Sequence, residues 1–233
     1  MDLKKLLSLI NKVRSLVSEY KMTHAQRVFL SFGENCLTDN ILERHHIKSF
    51  STPYSSGRSN IEYILQIERA RFEDFLNPEY LEYTEFDGRR VVRLRQYTQV
   101  DNTYNPWHMN GFEFTHHDVL GEVAVREKMQ RRASRMQNLR NKELNIFYHN
   151  RPNPKTDIEM LISHLNELKK IYENRCKTVN VYMFTQVIEE HTSARRVEHL
   201  VKSGIHIYIF HVLHEWAGAD QDVFWARCDD DLI

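Results

Sequence analysis

The sequence predicts an α/β domain of three layers, α/β/α, with a mostly parallel central sheet, and two observations carry the prediction. From Leu144 onward, apolar β-prone runs alternate with helical periods. Strands covered by helices on both faces read in this unbroken apolar way. The second observation is the stretch Arg27 to Asn40, RVFLSFGENCLTDN, where Val28, Phe29, Leu30 and Phe32 form a further buried strand leading into Gly33 and Cys36. The parallel strands are therefore expected at Val28 to Phe32, Leu144 to Tyr148, Val179 to Phe184 and Ile205 to Phe210.

Taken in order, MDLKKLLSLINKVRSLVSEY carries apolar residues at Leu3, Leu6, Leu7, Ile10, Val13, Leu16 and Val17 with charges between them, the pattern of an amphipathic helix. It is too polar for a signal peptide or a membrane span. Its leucine stripe is expected to pack on this domain or on a second subunit, giving a homo-oligomer through the N-terminal helix (residues 1–22). After Cys36, Thr38 or Asp39 can cap a helix through Ile41 and Leu42. KSFSTPYSSGRSN, dense in Ser, Pro and Gly, is a loop. Ile61 to Leu76 reads as a helix stopped by Asn77-Pro78. Asp87-Gly88 between two β-prone runs marks a small hairpin. Residues 50–120 as a whole form a loop-rich insertion near the site, with DNTYNPWHMNGFEFTHHD on loops and one short strand. Val123 to Asn141 is a basic helix. Then come a strand at Leu144 to His149, a helix at Thr156 to Tyr172, a strand at Val179 to Val187, a short helix at Ala194 to Lys202 and a strand at Ile205 to Leu213.

With 233 residues, 41% of them hydrophobic, the chain can bury one large core, and no interdomain linker interrupts it, so one domain is expected. Charge balances at 32 basic and 32 acidic residues, so nothing global calls for nucleic acid or an anionic membrane. The three cysteines, Cys36, Cys176 and Cys228, lack CxxC spacing and are odd in number, which argues against a disulfide framework and for the cytoplasm.

Right-handed crossovers gather the loops after parallel strands on one edge, where such folds hold ligands. Cys36, His149 to Arg151, Gln186 to Glu190 and His211 to Trp216 belong to that edge. Gly33 permits a tight turn, so Cys36 falls at a helix N-terminus, where orphan amides and the helix dipole favour an exposed, reactive thiolate. Backbone amides around Asn35 and Leu37 can hold an oxyanion. A nucleophilic thiol needs an imidazole base and a group that orients it, and the sequence offers His116-His117-Asp118 or the His211, His214, Glu215 group. Zinc competes for the same residue types but lacks the ligand spacing of most sites, so no metal or cofactor is expected. SFGEN has a single glycine, unlike a nucleotide loop. The arginines of the basic helix, Arg131 and Arg135 among them, suit a phosphate or sugar phosphate if they cluster on one face.

Several of these residues resemble a known family. Ser31-Phe32-Gly33-Glu34-Asn35-Cys36, a Pro-containing loop, Phe114-Thr115-His116-His117 and the Arg-rich helix with its strand, Arg131 to Arg151, look like the papain-like cysteine peptidases of bacteria, whose members often occur beside glycosyltransferase and surface-polysaccharide functions. The resemblance implies Cys36 as nucleophile and His116 or His117 as base, in a cysteine hydrolase or acyltransferase acting on a peptide or on a glycan or acyl substrate. Where members carry Pro-Phe-Asp-Trp, this chain has Pro53-Tyr54-Ser55-Ser56, so the third catalytic member stays open with Asp118 as candidate. Arg131, Arg135, Arg151, His211, His214 and Trp216 are candidate substrate contacts. The competing reading is a non-catalytic or sugar-phosphate-binding α/β protein of surface-polysaccharide biosynthesis in which Cys36 is structural. The family's name implies a helical half and an antiparallel barrel, whereas the periodicity here demands a parallel sheet.

Overall fold

The computed structural model describes residues 26–96, 100–216 and 221–233; the N-terminal amphipathic stretch lies outside them. Strand β1 (Arg27–Gly33) is followed by helix α1 (Leu37–Arg44), and α2 (Ile61–Arg69) comes after the Ser/Pro/Gly loop. A small sheet follows, β2 (Leu81–Phe86), β3 (Arg89–Leu94) and β4 (Phe112–Phe114). The basic helix α3 (Val123–Gln137), β5 (Glu143–His149), α4 (Ile158–Glu173), β6 (Thr178–Ile188), β7 (Arg196–Lys202) and β8 (Ile205–Val212) complete the main fold.

The central sheet runs in the order β1-β5-β6-β8-β7. The first four strands are mutually parallel, and all four expected segments lie in them. The residue alternation along each strand divides the core. Leu30, Phe32, Ile146, Tyr148, Val181, Met183 and Ile207 face α2 and α4, meeting Ile64, Leu65, Leu161, Leu165, Leu168 and Tyr172. Burying each such side chain contributes roughly 1.5–3 kcal/mol, which makes this face the main source of cohesion. On the opposite face, Phe184, Phe210 and Val212 pack with Leu37 and Ile41 of α1, Trp216 and Ala226. An aromatic groove of about 500 Å³ runs there between α1 and the strands, past Phe147, Tyr182 and Tyr208.

Local signals explain most element ends. Asp157 caps α4 by accepting from the Met160 amide, and Asn60 caps α2 through the Tyr63 amide. Asp87-Gly88 makes the turn of an antiparallel β2–β3 pair, Phe86 opposite Arg89.

Two expectations are corrected. The helix expected over Ile61 to Leu76 stops at Arg69, because Arg71 and Phe72 take left-handed backbone angles of φ 51° and 60°. The short helix expected at Ala194 to Lys202 is the edge strand β7, antiparallel to β8. Val197, Leu200 and Val201 have helical spacing, but Ser203 (φ 51°) and Gly204 (φ 73°) form a two-residue left-handed turn, the geometry that closes a hairpin, and it sets Lys202 opposite Ile205. Among the described residues, no helix is long and apolar enough to cross a membrane.

Candidate active site at the sheet edge

The C-terminal ends of β1, β5, β6 and β8 bring Cys36, His149 to Arg151, Gln186 to Glu190 and His211 to Trp216 to one edge, as the topology requires. At its centre the chain leaves β1 through Gly33, which lies beside His149 in the parallel register. A Cβ on Gly33 would come within 2.9 Å of the His149 amide nitrogen, and φ is +140°. Only glycine fits both demands. The turn is fastened by Glu34 N donating to His149 O at 3.3 Å, and Cys36 then occupies the N-cap position of α1.

Burial outweighs the helix terminus in setting the thiol. Cys36 is half-buried rather than exposed, and burial, with Asp39 adding to it, pushes its pKa up to about 11. The expected low-pKa thiolate is therefore corrected: the free protein holds Cys36 as a neutral thiol at pH 7. The amide of Leu37 is also committed, donating to Asn35 Oδ1 at 3.0 Å, so it is not free for an oxyanion while that turn stands.

Two imidazole-bearing walls flank the thiol turn. On the side of the free edge of β1, the loop after α1 runs along the strand. Ser49 N donates to Phe29 O at 3.1 Å and Ser59 N to Glu34 O at 3.2 Å, and Thr52 Oγ1 donates to Ser31 O at 3.1 Å. Ser31 Oγ donates to Asp39 at 2.7 Å and meets Ser55 Oγ at 3.0 Å. The neighbouring Ser56 Oγ pairs with His117 Nε2 at 2.8 Å. Burial, with help from Arg132 and Lys128, lowers the His117 pKa to about 4. His116 is exposed, and its pKa is also lowered, by burial and Arg89. Neither imidazole hydrogen-bonds Cys36 among the described residues. Asp118 binds elsewhere, accepting from Tyr83 OH at 3.0 Å and Gly121 N at 2.7 Å.

On the other side stands His149, whose side chain shares the α1 face of the sheet. Its ring lies 5.1 Å from Phe184 and 6.4 Å from Trp216, both partners of Leu37 in the apolar cluster under α1. It is 2% exposed, and burial holds its pKa down at about 3. Neither ring nitrogen has a hydrogen-bond partner among the described residues. Around it gathers a buried polar group that sequence reasoning did not single out. Glu34, fully buried, accepts from Arg151 N at 3.0 Å, and burial raises its pKa to about 8. His108 Nε2 lies 3.9 Å from Glu34, and both its nitrogens and the hydroxyls of Tyr104 and Tyr148 have no hydrogen-bond partner among the described residues. Buried polar atoms are normally satisfied, and unpaired ones cluster where a protein binds or reacts. The sequence held one signal for this group: a carboxylate between Gly33 and Cys36, where a sheet edge turns inward.

The remaining candidates are dispersed. Arg151 donates to Glu215 at 2.8 Å and lies over Trp107 at 4.6 Å. His211 is locked between Glu189 (2.6 Å) and Glu198 (3.2 Å). His214 is exposed, and its carbonyl accepts from Gln186. Trp216 is buried, with Nε1 donating to Asp229 at 2.8 Å, and so it packs the site from behind. Arg131 and Arg135 lie on α3 beside a separate cleft. Glu62, Asp101 and His164 bring potential metal-ligating atoms within 4.8 Å of one another. Glu62 is already satisfied there by His164 at 3.2 Å and Asp101 N at 3.1 Å.

The family model described as "Putative papain-like cysteine peptidase" matches residues 27–188, from the first residue of β1 to the last of β6. No curated protein and no solved structure matches the chain.

Proposed function

The chain belongs to the family described as "Putative papain-like cysteine peptidase", and from that premise we propose that it is a cysteine hydrolase with Cys36 as nucleophile and His149 as general base. The observation that carries this reading is the buried, unpartnered imidazole of His149 on the α1 face, at the strand position paired with Gly33. Both groups are neutral at pH 7, so the pair does not work as a preformed thiolate–imidazolium. As sulfur attacks a substrate carbonyl, the imidazole takes the thiol proton, the carbon–sulfur bond forms, and the carbonyl oxygen becomes an oxyanion held by the amides of Asn35 and Cys36, the Leu37 and Glu34 amides being committed to Asn35 Oδ1 and His149 O. The imidazolium then protonates the leaving amine or alkoxide. Water, activated by the same imidazole, cleaves the thioester; an acceptor hydroxyl in place of water would make the reaction an acyl transfer. Glu34, largely protonated near neutrality, can donate a hydrogen bond without placing a second negative charge beside the oxyanion.

His117 is the second reading for the base, favoured by its fixed contact with Ser56 beside the Ser55–Ser31–Asp39 chain. Brief incubation with an activated aryl ester followed by peptide mass mapping tests the proposal. One acyl group should appear on the Cys36 peptide, and acylation should slow sharply in His149→Ala. Acylation confined to Cys176 or Cys228 would contradict the nucleophile, and normal acylation in His149→Ala with loss in His117→Ala would move the base.

A further inference from the structure

We propose that the cleft between α3 and the segment following α1 binds the phosphate group of a small soluble phosphomonoester. The cleft encloses about 950 Å³, and Lys48, Lys128, Arg131, Arg132 and Arg135 all line it. On α3 the four cations, Lys128, Arg131, Arg132 and Arg135, follow an i, i+3, i+4, i+7 pattern, which sets them on one helix face. They do more than solvate a surface helix, because the charge is concentrated and, although Glu43 also lines the cleft, only two of the five cations have carboxylate partners. Lys48 is matched by Asp39 at 2.8 Å and Glu43 at 2.6 Å, and Arg131 has only the exposed Glu127 at 3.8 Å. Among the described residues, Lys128, Arg132 and Arg135 have no carboxylate within ion-pair distance.

Arg132 is the decisive case. It is only 7% exposed, yet its guanidinium meets only neutral groups, Ser56 Oγ at 3.1 Å, the Thr52 carbonyl at 3.4 Å and Met129 Sδ at 3.9 Å, with Asp39 acting on it from beyond ion-pair distance. A buried guanidinium with no carboxylate in contact is costly, and an anion in the adjoining cleft would reduce that cost. Arg135 is held in place by the Ser51 carbonyl at 3.3 Å and the Phe50 ring at 5.0 Å, so it meets a ligand partly preordered. The pKa of His117 is lowered first by burial and then by Arg132 and Lys128, so the field of these two cations reaches that imidazole. Three uncompensated cations suit a phosphomonoester dianion, whose three terminal oxygens can each accept charge-assisted hydrogen bonds, better than a carboxylate with two.

The cleft lies toward the C-terminal end of α1, whereas Cys36 lies at its N-terminus, so this proposal stands independently of the thiol chemistry. Thermal unfolding at constant ionic strength, with glucose 1-phosphate or glucose as additive, tests it. Glucose 1-phosphate should raise the unfolding midpoint while glucose leaves it unchanged. Arg135→Gln and Lys128→Gln, both at exposed positions, should fold normally and weaken the phosphate ligand about tenfold each. Cys36→Ser should bind it like the wild type. A shift no larger than that given by sodium chloride, or one that both α3 variants retain, would overturn the proposal, as would tighter binding of a single-stranded oligonucleotide than of the monoester.

Discussion

The two ends of α1 solve opposite electrostatic problems. At its N-terminus the protein buries titratable groups until they are neutral: Cys36 is pushed up to about 11, Glu34 up to about 8 and His149 down to about 3. Toward its C-terminus the same helix borders a cleft in which, among the described residues, Lys128, Arg132 and Arg135 have no carboxylate within ion-pair distance. The difference teaches that proximity to a helix terminus does not by itself make a reactive thiol. A dipole effect of typically 0.3–1 kcal/mol loses to the desolvation of a thiolate when the sulfur is half-buried, as at Cys36. Reactivity at Cys36 therefore has to be supplied during the reaction by a base, while at the cleft the charge is present before any ligand arrives.

The largest expected effect falls on the thiol end. Cys36→Ser should fold, since the change removes little volume, and should lose turnover of an activated ester by orders of magnitude, because a hydroxyl is a far weaker nucleophile near neutrality. Next comes His149→Ala, expected to cost about 10²–10⁴-fold in the acylation rate, the usual contribution of a general base. His117→Ala should change that rate much less; equal losses in both would join the two walls into one machine and blur the contrast. Gly33→Ala should destabilise the fold by about 1–3 kcal/mol through backbone strain and add the clash with His149. Its midpoint of unfolding should drop, while any surviving folded protein keeps the α3 cleft intact.

The smallest effect is a stability profile with pH. His149 and His117 have folded pKa values of about 3 and 4, below the unfolded value near 6.5. The unfolded chain takes up their protons first, so stability falls as pH drops through that interval. Glu34 and Glu68 have folded values of about 8 and 7, above their unfolded values near 4.5. The unfolded chain releases those protons first, so stability also falls as pH rises toward 8. The two trends oppose each other between about pH 4.5 and 6.5. A broad maximum there is expected in denaturant titrations across pH, and His149→Ala should flatten the acid limb. A maximum at pH 8 or above would contradict the neutral, buried character assigned to Glu34.

Much of this architecture was legible in the sequence for a physical reason. Strands covered on both faces must be apolar along their length, and so the four parallel strands and the edge that gathers Cys36, His149 and Trp216 could be read directly. The parallel sheet also overrode the antiparallel barrel that the family's name would suggest. The strand β7 was not legible, because Val197, Leu200 and Val201 mimic a helical period and the deciding Ser203-Gly204 turn is only two residues long. At the site, spacing located the thiol and the loop edge but not the protonation states. Those depend on how deeply Glu34, His108 and His149 are buried, and burial is set by contacts from segments far apart in the chain. The paired histidines drew attention as a motif, while the lone His149 at the end of an apolar strand did not.

The most direct test of the central claim is the pH dependence of alkylation of Cys36 by a small electrophile, followed by peptide mass mapping with Cys228 as internal control. Desolvation, joined at the exposed Cys228 by the neighbouring Asp229 carboxylate, raises the pKa of both thiols to about 11, so without a base each should react appreciably only in the alkaline range. With His149 as base, Cys36 should show a rate plateau extending well below pH 8 that Cys228 lacks and that His149→Ala abolishes. A Cys36 profile that rises only in the alkaline limb, in step with Cys228 and unchanged by His149→Ala, would contradict the account.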